Sequence, residues 1–218
     1  MKMTYLGHAA FLLESGSTSI LIDPYDEQVG YPVPKVRADV VLISHDHADH
    51  TNVAMATGQP RVIRGLARGH WRTVHERVDA ITISSVPTYH DDAQGAKRGR
   101  NTVFIIEAEG LRVVHLADLG HGLGQEAAKT IGHPDVLMIP VGGYYTIDAG
   151  QAHDVIAQLR PGIVIPMHYK TSVNPGSPLD TVDGFAAGAK SVKQVGHRAT
   201  IEKRSIPRES EVWVMTWT

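Results

Sequence analysis

The chain has 218 residues, of which 21 are Lys or Arg, 23 are Asp or Glu and 13 are His, so its formal net charge is −2. Cysteine is absent, which excludes disulfides, thiolate metal sites and a cysteine nucleophile, and the near-neutral charge argues against a dominant nucleic-acid role. The apolar runs are far shorter than the roughly 18 residues that span a bilayer, and the absence of an evident signal peptide predicts a cytoplasmic protein.

The predicted elements are short strands interspersed with a few helices. In chain order, strands are predicted at Met3–Leu6, Ala9–Leu13, Ser19–Ile22, Val40–Ile43, Ala80–Ile83, Thr102–Ile106, Arg112–Leu116, Val136–Ile139, Gly162–Pro166, Thr200–Ser205 and Glu211–Thr216. Helices are predicted at Gly124–Ile131, Asp148–Leu159 and Leu179–Lys190. Because no repeat or low-complexity tract divides the chain, residues 1–218 are expected to form one α/β domain with helices covering its sheets.

Apolar, strand-like runs repeatedly end in a residue that can bind a metal. A buried strand carries its next residues out of the core at one edge of the sheet, where loops commonly converge on a site. Taken alone, each such residue fits an ordinary turn, but several arranged alike indicate a shared site. The residues in these positions are His8, Asp23, His45, His90, Asp118 and His168.

The centre of this pattern is HDHADH at residues 45–50, directly after the predicted strand Val40–Ile43. In an extended chain, His45, His47 and Asp49 would project to one side, with His50 turned away from them. Four ligands packed so tightly can hardly all point at one ion, so the spacing predicts two adjacent divalent cations. Imidazole and carboxylate ligands suit Zn, the ion we expect, and also Mn, Fe or Ni.

HDHADH matches the H-x-H-x-D-H motif of the metallo-β-lactamase superfamily, and His90, Asp118 and His168 follow in that family's order. The resemblance extends over essentially the whole chain. It includes the phrases TYLGHAAFLLE, ILIDP, NTVFIIE, HLADLGH, PVGGYYTIDAGQA and PMHYKT. The chain looks most similar to a short branch of metal-dependent hydrolases related to the ascorbate-6-phosphate lactonase.

The resemblance implies a fold and a ligand set. The fold is a four-layer αββα sandwich, in which two mixed sheets are flanked by helices and the metals lie at one edge. The first metal would be held by His45, His47 and His90. The second would be held by Asp49, His50 and His168, with Asp118 bridging the two. Asp49 and Asp118 are thereby the expected catalytic carboxylates.

Two cations about 3.5–4 Å apart can share a water and lower its pKa towards neutrality, leaving a hydroxide poised for attack. The sequence therefore predicts a hydrolase of a small ester, lactone or phosphodiester, with an anionic substrate allowed and no membrane or nucleic-acid partner. A homo-oligomer is left open. The alternatives are a phosphodiesterase or nuclease acting on nucleotides and a non-catalytic metal-binding protein. Oxygen-reducing di-iron relatives carry a carboxylate where this chain has His47, which argues against redox chemistry.

Several further residues are candidates for contact with the substrate or for support of the ligands. His8 and His121 could hydrogen-bond a ligand or meet the substrate. Tyr144 and Tyr145 could donate to a developing oxyanion. Lys170 is placed by sequence to meet an anionic group. An ordinary packing or surface role is the alternative for each of them.

The polar segment Asp91–Arg100 could form a mobile loop over the metals. It carries three cations that could attract an anionic substrate, although a solvated hairpin is the alternative. These cations are Lys97, Arg98 and Arg100.

Overall fold

The computed structural model describes residues 1–217. Its strands are β1 (Lys2–Gly7), β2 (Ala10–Ser15), β3 (Thr18–Ile22), β4 (Val36–Arg37), β5 (Val40–Ile43), β6 (Ala56–Thr57), β7 (Arg61–Arg64), β8 (Leu66–Ala67), β9 (His70–Trp71), β10 (His75–Val78), β11 (Ile81–Tyr89), β12 (Arg100–Ala108), β13 (Leu111–His115), β14 (Val136–Pro140), β15 (Ile163–Met167), β16 (Val192–Val195), β17 (Arg198–Thr200) and β18 (Glu211–Met215). Its α-helices are α1 (Gln125–Ile131), α2 (Ala149–Leu159) and α3 (Val182–Ala187). Within residues 1–217, no helix is long and apolar enough to cross a membrane.

Two large mixed sheets organise the fold. The first has six strands in the order β17-β1-β2-β3-β5-β7, and the second has eight in the order β10-β11-β12-β13-β14-β15-β18-β16. In the first sheet β3, β5 and β7 run parallel, and in the second β13, β14 and β15 do. Parallel strands end at the same edge of a sheet, so the residues that follow them gather there.

The two sheets face each other across an apolar layer. Met3 and Phe11 of the first sheet belong to the same buried cluster as Phe104 and Met138 of the second. Side chains alternate along a strand, so the neighbouring Ile105 points to the opposite face of the second sheet and belongs to another cluster. Burial of these large side chains removes apolar surface from water and supplies most of the folding free energy.

The outer faces of the two sheets are covered differently. On the second sheet, Val155 and Leu159 of α2 share a buried cluster with Val164 of β15. On the first sheet the cover is formed by the segments 25–38 and 48–57, on either side of β5, which contain short 3-10 turns and pack apolar side chains on the strands. The predicted sandwich of two mixed sheets is confirmed, with helices on one side and irregular segments on the other.

The strand predicted at Ala80–Ile83 runs on to Tyr89 as β11. Two further predicted elements are shorter than expected or absent. The helix predicted at Leu179–Lys190 is confined to α3, because backbone pairing of Lys170 with residues 180 and 181 keeps the chain before it extended. The strand predicted at Thr200–Ser205 is wrong: β17 ends at Thr200, and a 3-10 turn follows at Lys203–Ser205.

The two-residue strands β4, β6, β8 and β9 were missed by the sequence prediction, and so were three strands of the large sheets: β7, β10 and β16. The last three have polar sequences, RVIR, HERV and VKQV, and each lies at an edge of a large sheet. Edge strands expose one side and carry charges, so their apolar alternation is weak.

Candidate metal centre

The ends of both sheets bring the candidate ligands together. His8 follows β1 and His45 comes shortly after β5 in the first sheet, whereas His90 follows β11 and His168 follows β15 in the second. The backbone N–H of His168 donates to the carbonyl of His8 at 2.9 Å, which ties the two sheets directly at this edge. Among the candidate ligands, His47 is exposed and Asp49 is half-buried, whereas the others are buried. The site lies in the seam between the two sheets.

Left-handed backbone is concentrated at these strand ends. His8, Asp23 and His168 have φ angles of 53°, 44° and 53°, and Ala117, just before Asp118, has a φ of 48°. Non-glycine residues rarely adopt this region, and such strain persists where surrounding contacts enforce it, often at functional sites. The backbone is therefore constrained at the points where it delivers the site residues.

The first cluster consists of His45, His47 and His90, whose candidate ligand atoms all lie within 4.8 Å of one another. His45 Nε2 and His47 Nδ1 are 3.2 Å apart. Burial and the neighbouring His50 lower the pKa of His45 well below its usual value, and burial and His90 lower the pKa of His47. Neutral imidazole is the form that binds a metal, so this trio suits a cation.

The second cluster consists of His8, Asp49, His50 and His168, again with candidate ligand atoms within 4.8 Å of one another. The prediction that His50 is turned away is wrong. The chain does not stay extended but enters a 3-10 turn at Ala48–His50, which returns the buried His50 to the site. His8, which the sequence indicated as a residue that could hydrogen-bond a ligand or meet the substrate, lies in this cluster with its Nε2 3.1 Å from Asp49 Oδ2.

The pKa of His8 reflects this environment. Burial and the neighbouring His168 lower it to about 4, against the opposing influence of Asp49. The ring is therefore neutral at ordinary pH, and its Nε2 hydrogen bonds to Asp49 only in the tautomer that carries the proton there. His8 can support Asp49 in that tautomer, or offer its lone pair to a cation in the other.

Asp118 lies between the two clusters. Its Oδ2 is 3.0 Å from His90 Nε2, 3.3 Å from both His50 Nε2 and His168 Nε2, and 3.8 Å from His45 Nε2. Burial disfavours the charged carboxylate, but the surrounding histidines outweigh it and hold the pKa of Asp118 well below its usual range. One carboxylate thus contacts both ligand sets.

The residues fit a pair of cations on two grounds. Asp118 Oδ1 is buried without a hydrogen-bond partner among residues 1–217, and such an atom is costly unless something binds it. The donor atoms are all nitrogen and carboxylate oxygen, the ligands of Zn, Mn and Fe. Burial disfavours a charged His50, but Asp118 and Asp23 outweigh it and raise its pKa well above the usual value. A metal cation at Nε2 of His50 would take the place of the proton that this raised pKa favours.

Asp23 supports two of the ligands from below the site. This fully buried carboxylate accepts from the Ser44 backbone N–H at 2.8 Å and from the Ser44 hydroxyl at 2.7 Å, and its Oδ2 lies 3.1 Å from His50 Nδ1. The Ser44 hydroxyl in turn lies 2.8 Å from His45 Nδ1. These bonds place the protons on Nδ1 and leave Nε2 of both rings free to bind. The sequence predicted that Asp23 ends a strand, but it did not predict these hydrogen bonds to Ser44 and His50.

The remaining candidates lie around the centre. His121 Nε2 accepts from the backbone N–H of Tyr89, so this ring supports the end of β11 just before His90 and is not part of either cluster. Tyr145 lines a cavity beside the second cluster, and the exposed Tyr144 packs against it with ring centres 4.6 Å apart. Lys170 is not among the described residues that line this cavity.

Segment Asp91–Arg100 is held in a compact turn. The carboxylate of Asp91 accepts four backbone N–H groups, from Ala93, Gly95, Lys97 and Arg98. Burial opposes its ionisation, but these donors lower the pKa of Asp91 to about 2.

The three basic side chains of this segment already have partners. Lys97 pairs with Asp92, Arg98 lies 5.5 Å from the ring centre of Tyr145, and Arg100 lies 4.8 Å from that of Trp71. The expectation that this segment covers the metals as a mobile loop therefore has no support in its hydrogen bonding.

Gly120 allows the loop after Asp118 to approach the strand that carries His90. A Cβ at this position would lie 2.2 Å from the carbonyl carbon of His90. We expect Gly120→Ala to lower the free energy of unfolding by about 1–3 kcal/mol through overpacking and to weaken metal binding by displacing His90. Urea denaturation and metal titration measure both effects. Gly122→Ala is the matched control, because a Cβ there meets nothing within 4 Å; equal effects of the two changes would contradict the argument.

The fold and the centre together define a class of protein. The profile of the β-lactamase superfamily domain matches residues 2–168, so the chain belongs to the metallo-β-lactamase superfamily. Within it, a UPF0173 metal-dependent hydrolase of Archaeoglobus fulgidus is 33% identical over 195 residues, which cover 78% of this chain and 84% of the relative. A second, from Pelotomaculum thermopropionicum, is 32% identical over 197 residues, covering 78% and 85%. The chain belongs to the UPF0173 metal-dependent hydrolase family.

A solved structure extends the similarity to the whole chain. A metallo-β-lactamase superfamily protein from Thermotoga maritima is 38% identical and covers 100% of this chain and 99% of its own, with a TM-score of 0.81. Both the fold and the hydrolase class of this protein follow from these relatives.

Proposed function

We propose that the chain hydrolyses a small ester, lactone or phosphodiester with two divalent cations. His45, His47 and His90 would hold the first cation, and His8 or its neighbour Asp49 would join His50 and His168 around the second. The observation that carries the proposal is the position of Asp118, whose Oδ2 lies 3.0 Å from His90 of one cluster and 3.3 Å from His50 and His168 of the other.

When bound, two such cations supply an activated water and polarise the scissile carbonyl or phosphoryl oxygen. The protein's own side chains provide the geometry. Asp118 sets the distance between the clusters, while Asp23 and Ser44 fix the ring orientations of His45 and His50. His8 holds the half-buried carboxylate of Asp49 at 3.1 Å.

The proposal also includes the identity of the metal and the kind of substrate. The nitrogen and oxygen donor set supports Zn, and the Thermotoga maritima relative has a name that points to Zn dependence; Mn, Fe and Ni use similar ligands. A lactone substrate follows the resemblance to the ascorbate-6-phosphate lactonase, and cytoplasmic location is proposed with it.

Metal analysis followed by a hydrolysis screen tests the proposal. We expect close to two divalent cations per chain and turnover of at least one member of a panel of esters, lactones and phosphodiesters. Chelation should abolish turnover, and restoring the cation should recover it. A protein that carries both cations and hydrolyses no panel member would favour the non-catalytic metal-binding alternative.

A further inference from the structure

A cavity of about 390 Å³ opens beside the second cluster. His8, Asp49 and His168 form its inner end, so any molecule in it lies next to the candidate metal ligands. The volume falls within the range of small-molecule sites, roughly 300–1,000 Å³. The cavity is therefore placed and sized to hold one part of a substrate.

The chemistry of the walls is largely apolar and uncharged. Val29, Tyr145, Pro178 and Leu179 contribute apolar surface, and the polar side chains beyond the ligands are amides and a hydroxyl, those of Gln28, Asn174 and Ser177. Among the described lining residues none is Lys or Arg, whereas Asp49 adds a carboxylate. An anionic group would meet no counter-charge from these walls, but an alkyl group would lose its contact with water.

The two loops that form the cavity are fixed against each other. Gly30 has a φ of 87°, and a Cβ there would lie 2.8 Å from the Val173 carbonyl oxygen, so the loops approach to backbone contact. The Tyr31 hydroxyl lies 3.1 Å from the Thr171 hydroxyl, and Asn174 Oδ1 accepts from the Thr171 backbone N–H at 2.7 Å. The cavity is thus formed before a ligand arrives, which reduces the entropic cost of binding.

A strained turn presents two tyrosines at the mouth. Tyr144 has a φ of 54°, and the side chains of Tyr144 and Tyr145 are 64% and 40% exposed. Strained backbone that holds exposed aromatic rings beside a site is typical of a surface used for binding. Arg98 contacts Tyr145 but is not among the described residues that line the cavity.

From these walls we infer that the substrate is an ester or lactone whose uncharged alkyl or acyl part occupies this cavity, in preference to one that carries an anionic group in that part. The inference rests on the proposed function, and it specifies which member of the proposed substrate range the site prefers. It departs from the anionic substrate that the sequence allowed, because Lys170 and the cations of segment Asp91–Arg100 do not line the cavity.

Matched p-nitrophenyl esters test the preference on the metal-loaded protein. The hexanoate ester and the adipate monoester have the same six-carbon acyl chain, but the second ends in a carboxylate. We expect kcat/KM for hexanoate to exceed that for the adipate monoester at least tenfold. From acetate to hexanoate, kcat/KM should rise about fourfold per methylene, as expected for alkyl burial.

A binding measurement separates the cavity from turnover. Calorimetry with hexanamide and with the monoamide of adipic acid should show tighter binding of the neutral amide by about tenfold. Val29→Lys, which adds a cation to the apolar wall, should reverse both the binding and the kinetic preference. Val62→Lys is the matched control, because Val62 is 38% exposed on edge strand β7 and does not line the cavity. Urea denaturation verifies that both variants fold.

The outcomes distinguish a failure of the proposed hydrolase function from a failure of the inference about the cavity. If no ester or phosphodiester is turned over, the proposed function fails. If turnover occurs but the adipate monoester is preferred, or if the two amides bind equally, the cavity inference is overturned while the hydrolase stands. An unchanged preference in a folded Val29→Lys protein would also overturn it.

Discussion

Replacing Asp118 with alanine is expected to lower kcat/KM for hydrolysis by roughly a thousandfold and the metal content to about one cation or fewer per chain. The carboxylate contacts both ligand clusters, so its loss removes an oxygen donor from each. A divalent cation contributes several kcal/mol of charge stabilisation to the transition state, and each factor of ten in rate corresponds to about 1.4 kcal/mol.

Metal analysis and steady-state kinetics on the purified variant measure this effect. Asp154→Ala, a change at an exposed position of α2, is a suitable control and should match the unmodified protein. Retention of two cations together with full activity in Asp118→Ala would remove Asp118 from the centre.

Asp23→Asn is expected to weaken metal affinity by about 10–100-fold, the usual effect of removing a group that orients metal ligands. An amide has one acceptor oxygen in place of two, so Ser44 and His50 cannot both keep the bonds that they make to Asp23. With those bonds weakened, the imidazole rings of His45 and His50 lose their fixed orientation, although neither ligand has been changed.

Asp39→Asn provides a matched control for Asp23→Asn. Asp39 accepts from the backbone N–H and the hydroxyl of Ser19 at 2.9 and 2.7 Å, an arrangement like that of Asp23 and Ser44 but at the opposite end of β3 and β5. Its loss should lower the free energy of unfolding by about 1 kcal/mol and leave the metal dissociation constant unchanged. If titration shows equal weakening in both variants, the effect is one of general stability and not of ligand orientation.

The sequence predicted much of the site because strand ends are readable from apolar runs. His45, His90 and His168 each follow a buried strand, and the structure brings them within one small region as expected. The position of His50 could not be read in the same way. It depends on a 3-10 turn after β5, so assuming an extended chain gave the wrong direction for its side chain.

Contacts between distant segments were the main information missing from the sequence. His8 meets Asp49 only because β1 and the turn after β5 end at the same edge. The cavity is formed by loops about 140 residues apart, as the Tyr31–Thr171 contact shows. A local sequence pattern predicts that a strand forms, but it does not show which side chains from distant segments contact that strand. The polar edge strands β7, β10 and β16 were missed because little of their surface is buried, so their sequences show weak apolar alternation.

The division of the proposed metal ligands between two sheets has a consequence for folding. His45, His47 and His50 come from the first sheet, and His90, Asp118 and His168 come from the second. A cation held by both groups is a crosslink between the two halves of the sandwich, present only while they are assembled. Its binding free energy therefore adds to the stability of the folded chain, by about 2.7 kcal/mol for each cation at a free concentration one hundred times its dissociation constant. Availability of the metal would thus affect the stability of the folded protein as well as its activity.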